Sequence, residues 1–338
     1  MKDIILNYIG SKLKLCQEFI PNIIKSVCGD DLSDKIFCDL FAGTGIVGRT
    51  FKTLVKKVIS NDMEYYSYVI NKNYIENHII LPNKEEFITK LNNEKLVENG
   101  FIYRNYCVGG NGERQFFSDY NGKKIDTMRL KIEKWFETKK ISPNMYYFLL
   151  CSLLECADKV ANTASVYGAY LKQLKASARK ELVLVGAEYQ LNKNKHVVYN
   201  EDSNKLIKRI EGDILYLDPP YNARQYGANY HLLNTIAEYK NFIPKGKTGL
   251  RNYNKSLYCS SSTVVNEFED LIKKAKFKYI FLSYNNEGLM NFEQIKNIMS
   301  KYGHYDVAKT KYQRFKADSN RINKFDSTVE YLHILEKK

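Results

Sequence analysis

A chain of 338 residues with 44% hydrophobic and 27% charged side chains is globular in composition, which excludes a fibrous or disordered protein and leaves room for two domains. Its net charge of +14 points to a polyanionic partner more readily than to an acidic protein. Seven cysteines with no C-x-x-C pair, and five histidines at no ligand spacing, argue against a disulfide scaffold and give no support to a metal site.

The first residues carry no long apolar core and no cleavage site. The longest apolar stretch, 145–157, includes Ser152 and Glu155 and is too short to span a bilayer. A cytoplasmic protein is therefore expected, without a membrane partner. Residues 7–12 precede Leu13, Leu15, Phe19 and Ile20 at near-helical spacing, with Ser11 as a candidate N-cap. A helix N-terminus beside Lys12 would suit a carboxylate, although an ordinary capped helix explains the same residues.

Apolar runs at 36–40 and 57–60 flank Gly43, Gly45 and Gly48, and the second run leads to Asp62. This predicts strand, glycine turn, helix and strand. The glycines also fit G-x-G-x-x-G, so a dinucleotide-binding oxidoreductase stays open at this point. In either case glycine lets a ligand approach the backbone, and the acid after the second strand accepts hydrogen bonds from ribose hydroxyls.

A helix is predicted over 64–80, after which Pro82 breaks the chain. Residues 82–193 differ in character: helical stretches at 84–99, 127–139 and 144–162 surround the glycine-rich 108–113. They interrupt a regular alternation of strands and helices and read as an insertion. Arg104, Arg114, Arg129, Lys172, Lys175 and Arg179 could face phosphate there or be simply solvated. Small residues recur through 154–172, which permits close approach of another backbone.

The alternation resumes at 196–202, where Asp202 is a candidate for a ligand amino group or for a helix N-cap. The apolar run 213–217 then stops at Asp218-Pro219-Pro220-Tyr221. Two prolines end a strand ladder and stiffen the corner, so a carboxylate, a carbonyl and an aromatic face are presented together. Those groups suit the amino group of a planar base, read by edge hydrogen bonds and stacking. Past this corner, the loop 239–266 carries Lys240, Lys245, Lys247, Arg251 and Lys255 and no acid, which suits a DNA backbone, a disordered linker being the alternative. Strand-like alternation at 305–315 and 327–335 suggests a hairpin with a basic connection that includes Arg314, Lys316 and Arg321.

Asp218-Pro219-Pro220-Tyr221 resembles the catalytic motif of amino-methyltransferases, in the Asp form of the N6-adenine DNA enzymes. The string 218–231 is similar to the adenine methyltransferases of type IIS restriction-modification systems. Phe41-x-Gly43-x-Gly45 resembles their motif one, and the segment with Tyr8, Gly10 and Lys12 resembles motif ten, which leads the chain in the Dam-like class. The order of these motifs matches that class over essentially the whole chain.

The resemblance implies an α/β fold: a Rossmann-like S-adenosylmethionine-dependent methyltransferase sheet from 1–81 and 194–338, with a mainly helical target-recognition insertion at 82–193. It implies methyl transfer from S-adenosyl-L-methionine to adenine N6 in double-stranded DNA, alongside a restriction endonuclease, with a monomer the favoured state. Tyr8, Gly10, Lys12, Asp39, Phe41, Gly43, Gly45, Asp62, Asp202 and Asp218 would serve the cofactor. Asp218, Pro219, Pro220 and Tyr221 would be catalytic, the Asp218 carboxylate and Pro219 carbonyl accepting from the amino group while Tyr221 stacks on the extruded base. Arg224, Tyr226, Tyr230, Lys247, Arg251, Arg314, Lys316 and Arg321 would meet DNA. The competing readings are an N4-cytosine enzyme, whose motif usually begins with Ser, an RNA-adenine enzyme, and a DNA-binding protein without turnover.

Overall fold

The computed structural model describes residues 10–313 and 327–338, and its described strands form one seven-stranded sheet. In chain order they are β1 Ile36–Asp39, β2 Lys57–Asn61, β3 Val197–Tyr199, β4 Glu211–Leu217, β5 Lys276–Asn285, β6 Gly303–Gln313 and β7 Ser327–Lys337. Across the sheet they run β3-β2-β1-β4-β5-β7-β6. The first five are parallel, whereas β7 is antiparallel to β5 and β6 is antiparallel to β7.

The chain winds outward through β2 and β3 on one side of β1 and through β5 on the other side of β4. That makes the carboxyl ends of β1 and β4 the switch point where an open α/β sheet holds a ligand. Ile214, Leu215, Tyr216 and Leu217 of β4 are all buried, which is why this strand reads as a continuous apolar run. The helix Val264–Lys274 presents Val264, Phe268, Leu271 and Ile272 to a core shared with Cys38, Leu215 and Ile280. Burying each large apolar side chain of this kind stabilises the fold by about 1.5–3 kcal/mol. At the edge, β6 exposes Lys309 and Lys311, which discourages further strand pairing.

One compact unit consists of Gly10–Asn71, Asn192–Gln225 and Asn254–Lys338; a second includes Lys72–Leu191 and Tyr226–Tyr253. The second unit is helical, with Asp119–Glu137 and Pro143–Lys159 as its long elements. Ser118 and Ser142 cap them by accepting from the Asn121 and Met145 N–H groups, and Pro143 occupies a first-turn position where its missing N–H costs nothing. The insertion expected at 82–193 differs from this unit, which begins earlier and also takes in 226–253. The reason is the helix His231–Glu238: residues 231–237 are all buried, and the Arg129 guanidinium donates to its Ile236 and Ala237 carbonyls. Arg129 is thus a helix cap rather than a phosphate ligand.

The small-residue run is likewise occupied by protein. The Tyr167 N–H donates to the Asn229 carbonyl at 2.7 Å, and the Asn162 side chain donates to the Gln115 and Leu171 carbonyls. No helix starts at Ser11, whose Oγ accepts from the Leu13 N–H in a turn; the first described helix is Phe19–Cys28. Among the described residues, no helix is long and apolar enough to cross a membrane.

Candidate active site

The register of β2, β1 and β4 decides which side chains meet. Asp39 lies opposite Ser60 of β2 and Tyr216 of β4, so Asp39, Asp62 and Asp218 all emerge at one end of the sheet. Between β1 and the following helix, Gly43 and Gly45 have φ of +52° and +73°, a region that disfavours side chains. The Gly43 N–H donates to Asp62 Oδ2 at 2.8 Å, and the Glu64 N–H to Asp62 Oδ1 at 2.8 Å. Ser67 Oγ and Asn71 Nδ2 both donate to the Gly43 carbonyl, which locks the turn from below.

A Cβ added at Gly45 would stand 2.4 Å from Asn71 Oδ1. Gly45→Ala is therefore expected to lose about 1–2 kcal/mol from the left-handed backbone alone, with a further loss as Asn71 is displaced. A fall in thermal midpoint checks this, and an unchanged midpoint would refute the lock.

Asp39 is 1% exposed. Its Oδ2 accepts from the Gly48 N–H at 3.1 Å, while its Oδ1 has no partner among the described residues. Burial pushes its pKa up to about 8; the Gly48 N–H opposes this, and the charges of Asp218 and Asp62 add to it. Asp62 is raised as well, by burial against its several hydrogen-bond donors. Asp202 caps the helix Ser203–Leu206 by accepting from the Lys205 N–H at 3.0 Å. Phe41 lies edge-on to Tyr258 with centroids 5.1 Å apart.

At the end of β4, Asp218 Oδ1 sits 3.2 Å from the Lys12 ammonium, which also donates to Glu330 Oε1 at 2.7 Å. Ser283 Oγ donates to the same Glu330 oxygen at 2.8 Å. Burial raises the Asp218 pKa to about 6, with Lys12 opposing and Glu330 reinforcing the shift. Burial would lower Lys12, yet Asp218 and Glu330 hold it well above the usual lysine range. Pro219 is buried and Pro220 half-buried. The Tyr221 ring meets Tyr284 edge-on at 6.4 Å and has the Lys12 ammonium 5.8 Å from its centroid, while its carbonyl accepts from the Leu289 N–H. A rigid carboxylate with a fixed cation and an aromatic face beside it can accept hydrogen bonds from a planar amine and stack on it.

Glu330 escaped the sequence reading. Its signal was its setting: β7 is buried on both faces, with Leu332 and Ile334 on the side of Glu330 and His333 and Leu335 on the other, so an acid in this strand needed a buried partner.

The residues expected to meet DNA fare differently. Arg224 is exposed, with its N–H donated to Asn222 Oδ1. In the helical unit Lys247 is exposed on the turn 245–250, whose carbonyls accept from Arg114 and from Tyr106 Oη, so Arg114 serves the loop and the loop is ordered. Arg251 is paired with Glu238 at 2.6 Å, the acid that stands one residue before the loop. Tyr226 is half-buried, and Tyr230 is only 1% exposed, its ring stacked on Tyr226 at 6.0 Å; it packs rather than faces solvent. Tyr8, Arg314, Lys316 and Arg321 lie outside the described residues.

The chain is similar to known proteins along almost its whole length. The chain is 61% identical over 335 residues to the type II methyltransferase M.NlaIII of Neisseria lactamica, covering 98% of this chain and 99% of that one. It is 39% identical to M.CviAII of Paramecium bursaria Chlorella virus 1, over 97% of each. It is also 39% identical to M.FokI of Planomicrobium okeanokoites, where it covers 98% of its own length but 53% of the relative's. Residues 8–298 match the family model of D12 class N6 adenine-specific DNA methyltransferases. With a match of that extent and a sheet of this topology, the chain belongs to the D12 class of N6 adenine-specific DNA methyltransferases.

Proposed function

We propose that this adenine-N6 DNA methyltransferase takes its methyl group from S-adenosylmethionine, acts on an adenine extruded from duplex DNA, and serves as the modification partner of a restriction endonuclease. The observation that carries the reading of the site is the Asp218 carboxylate, fixed at the end of β4 by Lys12 beside the Tyr221 ring. The endonuclease partnership rests on the likeness to type II methyltransferases.

The residues at the strand ends fit the donor. Asp39 Oδ1 is a buried acceptor without a partner among the described residues, suited to an ammonium or hydroxyl donor, and the Gly43–Gly45 turn gives a ligand access to the backbone. Asp39, Phe41, Gly43, Gly45, Asp62 and Asp202 would hold it, Asp62 facing the ribose hydroxyls. Bound there, the donor supplies a methyl group on a sulfonium whose leaving group is a neutral thioether. Lys12, engaged by two carboxylates, is assigned to the Asp218 corner rather than to the donor's own carboxylate.

Adenine N6 is a weak nucleophile because its lone pair is delocalised into the ring. Hydrogen bonds donated by its two N–H groups to the Asp218 carboxylate and the Pro219 carbonyl favour a tetrahedral nitrogen, which localises the lone pair. Positioning and fixed charge are the protein's contributions. Tyr221 offers its face to a base that has lost its stacking neighbours. In the helical unit, the exposed Lys247 would meet phosphate and Tyr226 would meet the strand, with Tyr230 as the ring that supports it.

Protonation converts the Asp218 carboxylate from acceptor to donor. With its pKa near 6, the single-turnover rate is expected to fall about tenfold per pH unit below that value. A flat rate from pH 7 to 5 would exclude an ionised Asp218 from the step. Folding follows the same group: the native state holds this proton more tightly than the unfolded chain, so its contribution to stability falls as pH rises through the carboxylate range to about 6.

The decisive experiment incubates unmethylated DNA with the protein and S-adenosylmethionine and analyses the nucleosides by mass spectrometry. N6-methyladenine is expected. The absence of any methylated base in DNA would overturn the reading.

A further inference from the structure

Lys12 divides its ammonium unequally, standing 2.7 Å from Glu330 Oε1 and 3.2 Å from Asp218 Oδ1. Glu330 does not depend on Asp218 for its place. β7 sets it opposite Asn285, and Ser283 Oγ donates to the oxygen that also meets Lys12. Stability alone gives no reason for such an arrangement. A buried carboxylate costs free energy unless it is paired, and well-packed apolar side chains commonly replace a buried ion pair without loss.

The reaction gives a reason. With Asp218 as its only partner, a buried ammonium would close on that carboxylate and occupy the acceptor that the adenine amino group needs. We infer that Glu330 is a positioning residue of the methyl-transfer site: it holds the Lys12 ammonium back from Asp218, so that the carboxylate can exchange its cation for the adenine amino group. The inference rests on the reading of Asp218 as the acceptor.

The ionisable groups acting on this corner are Lys12 and Cys16 from the segment before the first helix, Asp39 from β1, Tyr216 from β4, Tyr221 beyond it, and Glu330 from β7. Of these, Glu330 raises the Asp218 pKa and Lys12 lowers it. Removing the Glu330 charge therefore works twice in one direction, by deleting a repulsion and by releasing the ammonium onto Asp218. Asp39 responds to Asp218 and Asp62 instead, so its own titration near 8 is a separate marker.

The test is Glu330→Gln, which keeps the size and the acceptor of the side chain. The acid limb of the single-turnover rate should move down by about one pH unit. The plateau rate should drop about tenfold, because a tightly held cation must now be displaced. Cofactor affinity measured by calorimetry should stay level. A readout independent of turnover is the 13C carboxyl resonance of Asp218, assigned by its loss in Asp218→Asn, whose titration midpoint should fall with the limb. Ser283→Ala, a milder change that loosens Glu330 without removing charge, should shift the midpoint in the same direction by less. In a Lys12→Gln background, adding Glu330→Gln should lower the plateau rate no further.

If neither variant moves the Asp218 midpoint, the inference is overturned, even where the rate drops equally at every pH. Full additivity with Lys12→Gln overturns it too. Near-normal turnover of Asp218→Asn would instead overturn the underlying reading of Asp218, and so separates the two failures.

Discussion

Asp218→Ala is expected to lower the single-turnover methylation rate by about 10²–10³-fold, the range seen when a preorganised group that acts at the reacting centre is removed. The donor's dissociation constant should change by far less. The asymmetry follows from the placement of the residue. The glycine turn, Asp39 and Asp62 are held by their own hydrogen bonds to Gly48, Gly43 and Glu64, none of which involves Asp218. Lys12 keeps Glu330 as a partner when Asp218 is gone, so the variant leaves no isolated buried cation and should fold. The loss should accordingly appear in the chemical step. A companion effect should accompany it: Asp218 is among the charges that raise Asp39, so the Asp39 pKa should fall from about 8. Rapid-quench transfer of labelled methyl and calorimetric binding measure the two sides. Near-normal transfer by Asp218→Ala would rule out the proposed chemistry.

Arg129→Met should destabilise the helical unit by about 3–5 kcal/mol, as expected when one partner of a buried, hydrogen-bonded charge network is removed. Arg129 is 3% exposed, and its planar fork is used on every side. Its Nε and Nη2 donate to the Ile236 and Ala237 carbonyls at 3.0 and 2.9 Å, Nη2 also reaches Tyr146 Oη at 3.2 Å, and Nη1 donates to Glu133 at 2.6 Å. The last carbonyls of a helix have no partner within it, and a cation there also meets the negative end of the helix dipole. Methionine fills the space but leaves those carbonyls buried and unmet. Lysine restores the charge as a point donor without the fork, so Arg129→Lys should recover part of the loss. Denaturant unfolding followed by circular dichroism gives the magnitude. A change within about 0.5 kcal/mol, typical of surface substitutions, would show that the cap contributes nothing.

The parts of this molecule that were legible in its sequence are those whose partners are close by or are the strand pattern itself. Gly43, Gly45 and Asp62 are joined by one turn and one helix. The Asp218–Tyr221 corner is four consecutive residues, and the closing hairpin announced itself by alternation. What could not be read is where a charge finds its partner. Arg129 and Arg251 show their sign in the sequence, but nothing local reveals that carbonyls 107 and 108 residues away claim the first, or that Glu238 claims the second. Glu330 and Lys12 are separated by 318 residues. The helix His231–Glu238 comes soon after the Asp218–Tyr221 corner in the chain, and only its packing shows that it groups with residues 72–191. Tyr230 looks identical to an exposed stacking residue until its burial is known.

The order of the last three strands also governs when this site can exist. β6 is synthesised before β7, yet among the described strands it bonds only to β7, which bridges it to β5. A growing chain that has emerged as far as β6 therefore carries an eleven-residue strand with no docking place. It already holds Lys12 and Asp218, but not Glu330. Lys12 and Glu330 are 318 residues apart, so their contact cannot form until β7 has been made. A contact of that sequence separation carries a loop-closure cost that makes it slow to form.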